Sequence, residues 1–392
     1  MATTDLSASR KTVVSSRVVL LLIALLVALT ACSAASDSAR DQQRPARGPS
    51  NEKYEPPIYQ PTATSVHHGA RVNPLVRPWG VYQGLDEHTW LPYLHASADQ
   101  KAVLDEIVQR PKTTWFGQWQ EGDIQERIEE YVERTTGGDP DVLVQTAIFR
   151  MEPWETDACT RLPSSAEQAS YKKWIAGFAA GVGEAHMAII MQPDGPFVLC
   201  APGGSELPAK MIKSAVRTLS ALPNTSVYID AGAADWNRDD PKKALEMLIP
   251  MGIRFARGFA LNSTHYDSTA RQVRHSAAIS RALAARGMPG KYGVINTSSN
   301  GRPFKGYTYP DRDPNFDNAP VCASEQDDRC VTLGIPPTVD VGDPKWGLTP
   351  RDRRLAVRYV DAYMWFGRPW LYKQRAPFMM DRALDLVRTT PY

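Results

Sequence analysis

The strongest constraint on the fold of this chain is an alternation of two patterns that repeats from residue 113 to residue 366. Seven short apolar runs read as strands: Thr113–Gln118, Val142–Arg150, His186–Gln192, Ser226–Ala231, Arg257–Leu261, Tyr292–Asn296 and Asp361–Phe366. Most are apolar without a break, as expected of strands covered on both faces. Amphipathic segments between them are predicted as helices at Asp123–Arg134, Glu167–Gly181, Pro208–Leu219, Pro241–Ile249, Ser268–Arg286 and Arg351–Val360, and Gly-Met-Pro-Gly at 287–290 stops one before the next strand. Strand followed by helix, repeated over this length, predicts an α/β fold with a parallel sheet, either a (β/α) barrel or a doubly wound sheet. No G-x-G-x-x-G follows the early strands, which favours the barrel.

The N-terminus points out of the cytoplasm. Arg10, Lys11 and Arg17 precede an apolar run, Val18 to Leu29, that falls short of the ~20 helical residues a bilayer requires. It ends in Leu29-Thr30-Ala31-Cys32, which resembles a bacterial lipobox. Residues 1–31 are therefore expected to be a lipoprotein-type signal, with Cys32 lipidated and serving as the membrane anchor; a plain secretory signal is the alternative. Residues 32–72, rich in Ser, Arg, Gln, Pro and Asn, are expected to be a disordered tether, and 73–392 a single domain. Of the other cysteines, Cys322 and Cys330 are near enough to close a short loop, which leaves Cys159 to pair with Cys200. Without C-x-x-C or H-E-x-x-H spacing, neither a metal nor a cofactor is expected. A net charge of +2 over 392 residues gives no reason to expect nucleic acid or an anionic polymer as partner.

Function is suggested by the polar residues just past the strands. The second strand leads to Glu152, Glu155 and Asp157, the third to Asp194, the fourth to Asp230 and Trp236. The fifth leads to Asn262 and Tyr266, the sixth to Asn296, Ser298 and Asn300. In a barrel these C-terminal ends share one face. A lone Asp or Asn there is more often a helix cap. Five successive strands delivering them, with aromatic rings, suit a polyol instead: amides and carboxylates bond hydroxyls and rings stack on sugar faces. Paired carboxylates without a metal suit glycoside hydrolysis. Asp194, after an apolar run and before Pro196-Phe197, is expected to have a pKa raised by desolvation, and further by Asp157 if the fold brings that carboxylate close.

These stretches resemble glycoside hydrolase family 6, the inverting cellulases and cellobiohydrolases. The resemblance is carried from about Asn73 to Trp370 by "TTWF", "YKKWIAGFAAGVG", "QPD", "YIDAG" leading to Trp236, "GFALNSTHY", "INTSSNG" and "VDAYMW". It implies a distorted (β/α) barrel acting on β-1,4-glucan. Asp194 then falls on the general acid. Asp157 falls near a second aspartate that raises the acid's pKa and helps position water, a role Glu155 could share. Asp230 lines the −1 site, and Trp115 and Trp236 match sugar platforms. Asn262, Tyr266 and Asn300 are further candidate sugar contacts, and Cys159–Cys200 matches a family disulfide.

Three departures stand out. Phe149 occupies the place of a tyrosine beside the −1 sugar, and Ala233 that of a histidine. "FGRPWLYKQR" (366–375) replaces the segment holding the proposed general base. The expected function is inverting, endo-acting hydrolysis by a monomer whose partner is β-glucan polysaccharide or oligosaccharide. The alternatives are a glycan-binding lipoprotein on an impaired scaffold, or a hydrolase of another envelope or host polysaccharide.

Overall fold

The computed structural model describes residues 57–59, 72–120, 122–302, 304 and 319–392; the leader, Cys32 and most of the expected tether lie outside them. Within the 32–72 span, Ile58–Tyr59 (β1) pairs antiparallel with Trp79–Gly80 (β2), so ordered backbone occurs upstream of residue 73. All seven expected strands form, within a residue or two of their predicted ends: β3 (Thr114–Gly117), β4 (Val144–Phe149), β5 (Met187–Met191), β6 (Thr225–Asp230), β7 (Gly258–Leu261), β8 (Tyr292–Asn296) and β9 (Val360–Met364). They make one parallel sheet in sequence order.

The sheet curls until its edges approach. The Thr113 amide donates to the Trp365 carbonyl at 2.8 Å, and the Trp115 indole donates to the Phe366 carbonyl at 2.8 Å. These contacts form a seam where a regular barrel would have a ladder, so the expected distorted barrel is an open half-barrel. Strand alternation sets the two faces. In β5, Met187, Ile189 and Met191 pack outward with the helices. Ala188 and Ile190 turn inward with Ala147, Tyr228, Ala260, Val294 and Ala362, mostly small residues that suit a narrow interior. One buried charge in the interior is satisfied: Asp361 accepts from Arg257 Nε at 2.9 Å and from the Tyr228 hydroxyl at 2.8 Å.

Two helices precede β3, α1 (Trp90–His95) and α2 (Ala98–Val108), and the sequence pattern did not anticipate them. The six anticipated helices come next as α3 (Ile124–Thr136), α4 (Ser165–Val182), α5 (Leu207–Leu219), α6 (Pro241–Leu248), α7 (Thr269–Ala284) and α8 (Pro350–Tyr359). A hairpin of β10 (Leu371–Tyr372) and β11 (Arg375–Phe378) leads to α9 (Met380–Arg388), also unanticipated. Leu104, Ile107 and Val108 of α2 pack with Ala383, Leu384 and Leu386 of α9, beside Trp365 and Trp370.

Some loop carboxylates do cap helices. Asp123 accepts from the Gln125 amide at 2.8 Å, and Asp240 from the Lys242 amide at 2.9 Å. They set the standard against which Asp194 and Asp230 are judged.

Candidate active site

Asp194 stands where a cap would stand, before the 3₁₀ segment Gly195–Cys200, yet its side chain makes no capping bond. It has left-handed backbone (φ 64°), uncommon without glycine. Its carboxylate accepts instead from the Thr264 hydroxyl, beyond β7, at 3.2 Å. It is half-buried.

Asp230, at the end of β6, is fully buried beside it. Gly195 packs so tightly on this strand end that a Cβ there would lie 2.3 Å from the Asp230 carbonyl. Asp230 accepts from the Ser263 hydroxyl and from the Gly232 amide at 2.8 Å. Burial pushes its pKa up to about 7; the two donors oppose the rise, and the nearby charge of Asp194 adds to it. Asp230 is thus a like-charge neighbour of Asp194. Asp157, expected in that part, is a half-exposed residue paired with Arg161 at 4.0 Å.

A second pair adjoins them. His265 Nδ1 lies 2.9 Å from Asp235, both well buried. Burial disfavours the imidazolium, but Asp235, Asp194 and Asp230 together outweigh it and raise the His265 pKa. On the far side, Arg368 follows β9, its guanidinium carbon 4.0 Å from the Trp115 ring centroid.

The model of the family described as Glycosyl hydrolases family 6 matches residues 85–346. The chain belongs to that family. Among curated relatives of this family 6 chain, Endoglucanase 1 of Streptomyces halstedii is 31% identical over 211 residues, covering 52% of this chain and 63% of that protein. Endoglucanase A of Cellulomonas fimi is 30% identical over 233 residues, covering 59% of this chain and 49% of that protein. The chain thus matches between about half and just under two thirds of the length of these two relatives. The fold is shared with the endoglucanase Cel6 of Mycobacterium tuberculosis, solved with methyl-cellobiosyl-4-deoxy-4-thio-β-D-cellobioside. That likeness has a TM-score of 0.63 at 23% identity, covering 80% of this chain and 98% of that one. It is shared too with cellobiohydrolase II (Cel6A) of Humicola insolens, at a TM-score of 0.58 and 16% identity, covering 81% and 98%.

The remaining sequence candidates divide by burial. Glu155 is exposed and held by Gln118 Nε2 at 2.6 Å. Cys159–Cys200 ties the loop carrying Glu155 and Asp157 to the loop after Asp194, while Cys322–Cys330 closes its own loop. Trp236 is partly exposed. Three expected sugar contacts lie inside the protein instead. Buried Asn262 donates to the Asp267 and Asn296 carbonyls at 3.2 and 3.3 Å, joining the loops after β7 and β8. Asn300 donates to the Asp267 carbonyl at 2.8 Å, and Tyr266 packs on Phe304. The family 6 motif residues Asn262, Tyr266 and Asn300 thus build the rim from within. Trp115 is corrected likewise: it is 7% exposed, and Arg368 lies over its ring.

Like Ser263, Thr264, Asp235, His265 and Arg368, one further ring escaped notice in the sequence. Trp119 is 40% exposed just past β3, and Phe149 packs between it and Trp115, at ring distances of 6.3 and 5.9 Å. Its only sequence signal was its place in "TTWFGQW".

Proposed function

We propose that this protein hydrolyses β-1,4-glucosidic bonds within cellulose-like glucan chains, with inversion, and that Asp194 is the proton donor. The observation that carries the reading is the pairing of a half-buried Asp194, free of any capping duty, with a buried Asp230 whose pKa is raised to about 7. Neighbouring carboxylates cannot easily both ionise, so one proton is retained near neutral pH. Asp194 can present it to the leaving oxygen. Asp230, shut inside, is a positioning residue that keeps the pair protonated. Membership of family 6 supports the inverting route, and the endoglucanase names of the relatives support cleavage within the chain. Water on the other sugar face would be activated from the exposed loop of Glu155 and Asp157, and Trp119 and Trp236 would stack on glucosyl rings.

The test is hydrolysis of soluble cellulose derivatives and cello-oligosaccharides, with NMR of the product anomers, wild type beside Asp194→Asn. We expect inverted product and a loss of roughly 10² to 10⁴ in rate for the variant. Retained activity in the variant sinks the acid assignment.

A second reading has one specific support: segment 366–375 offers Arg368 where the family has carboxylates. On that reading the cleft binds glycan without cutting it, and oligosaccharide binding with no product from either protein decides for it. We also propose that the chain is exported and works as a monomer, anchored through Cys32 with 32–72 as tether to the domain at 73–392. The two disulfides fit an oxidising compartment. Cys32→Ala should release the protein from the membrane fraction, and unchanged partitioning refutes the anchor.

A further inference from the structure

The backbone of Arg368 is linked to Asp194 by a short relay. Its backbone amide donates to Gln374 Oε1 at 3.4 Å, Gln374 Nε2 donates to the Thr264 carbonyl at 3.0 Å, and the Thr264 hydroxyl holds Asp194 at 3.2 Å. Its guanidinium lies over Trp115, between the fields of Glu87 and Asp194. Nε is shut off from solvent and has no hydrogen-bond partner among the described residues.

Neither neighbouring carboxylate is a dedicated counter-ion. Glu87 faces the buried Lys112 at 3.7 Å and accepts from the Thr89 amide at 2.9 Å. Asp194 is engaged by the Thr264 hydroxyl at 3.2 Å. Burial accordingly pushes the Arg368 pKa down to about 9. The side chain is half-buried, and a guanidinium Nε shut off from solvent without an acceptor is costly unless a ligand supplies one. A sugar hydroxyl offers a single neutral acceptor, whereas a carboxylate accepts two parallel bonds with charge assistance. The guanidinium also covers the ring on which a neutral sugar would stack.

We propose that Arg368 forms an anion-recognising subsite beside the proton donor, and that this cleft prefers β-1,4-glucan bearing carboxylates, as in uronosyl units, over neutral glucan. This rests on reading the cleft as a glycan site. The near-neutral charge of the whole chain does not bear on it, because one half-buried guanidinium acts over a single sugar.

The test compares cello-oligosaccharides oxidised at C6 to carboxylates with neutral ones of equal length. Binding is measured by calorimetry in an Asp194→Asn background, and hydrolysis in the wild-type background. We expect at least tenfold tighter binding of the oxidised chains, weakening as salt rises. The ratio should fall towards one with Arg368→Gln and persist in part with Arg368→Lys. Equal affinity for both chains with Arg368 in place overturns the proposal, as does a preference that survives Arg368→Gln. A carboxylate preference in binding without cleavage of either chain upholds this inference while sinking hydrolysis. Cleavage of neutral chains without any carboxylate preference sinks this inference alone.

Discussion

Ser263, just beyond β7, donates its hydroxyl to the buried carboxyl of Asp230 at the end of β6. This bond favours the ionised form of a group that burial holds neutral, so it limits how far the pKa climbs. Ser263→Ala should raise the Asp230 pKa further. If the Asp194–Asp230 pair must keep a proton, wild-type activity falls as pH rises through about 7. The variant should hold its activity about one pH unit higher, since a bond to a charged group is worth roughly 1.5–3 kcal/mol and one pKa unit about 1.4 kcal/mol. The pH profile of kcat/KM checks this, and an unmoved alkaline limb refutes it.

The same displacement has a signature in stability. Asp230 titrates near 3.8 when unfolded and near 7 when folded. A raised pKa means that its contribution is complete below about pH 4 and is lost as pH climbs to about 7. Asp230→Asn removes the titration while keeping the shape. Thermal melts from pH 4 to 8 should show wild type losing a few kcal/mol that the variant does not lose. Parallel curves would mean that Asp230 ionises freely in the fold.

His265 and Asp235 titrate in opposite directions. Burial works against the Asp235 charge, yet His265 holds its pKa low, while Asp235 with Asp194 and Asp230 holds that of His265 high. The ion pair therefore stabilises from above the ordinary aspartate range up to the raised pKa of His265, and its benefit fades as pH passes that point. Asp235→Asn should cost about 3 kcal/mol near pH 5.5 and less at pH 8.5. NMR titration should find the imidazole pKa lowered; an unchanged value rejects the coupling.

The strands were legible because both their faces are covered, which makes most of them short, largely apolar runs, as in Met187–Met191. The helix α2 escaped notice although Ser97 and Gln100 form a capping box at its start. Helix α1 has six residues and a proline at its third position, too little for a periodic signal. At the site, sequence marked Asp194 and Asp230 as carboxylates at strand ends. It could not separate Asn262, whose Nδ2 is spent on two carbonyls inside the protein, from an amide facing a sugar, because only burial distinguishes them. The contact between Arg368 and Trp115 joins the first and last strands of the sheet, so it exists only once the half-barrel has curled.

Trp119 and Trp115 should separate binding from stability. Trp119 is 40% exposed, so Trp119→Ala removes little from the core, and a ring lost from a sugar platform weakens stacking rather than the fold. Oligosaccharide affinity should fall about tenfold while the melting temperature stays within a few degrees, since about 1.4 kcal/mol corresponds to a factor of ten. Trp115 is 7% exposed, bonds the Phe366 carbonyl at the seam and supports Arg368. Trp115→Ala should cost on the order of 3–5 kcal/mol of stability. Calorimetry with cellohexaose and thermal melts of both variants test the contrast. If Trp119→Ala leaves affinity unchanged, the exposed ring plays no part in holding the chain, and the platform must be sought around Trp236.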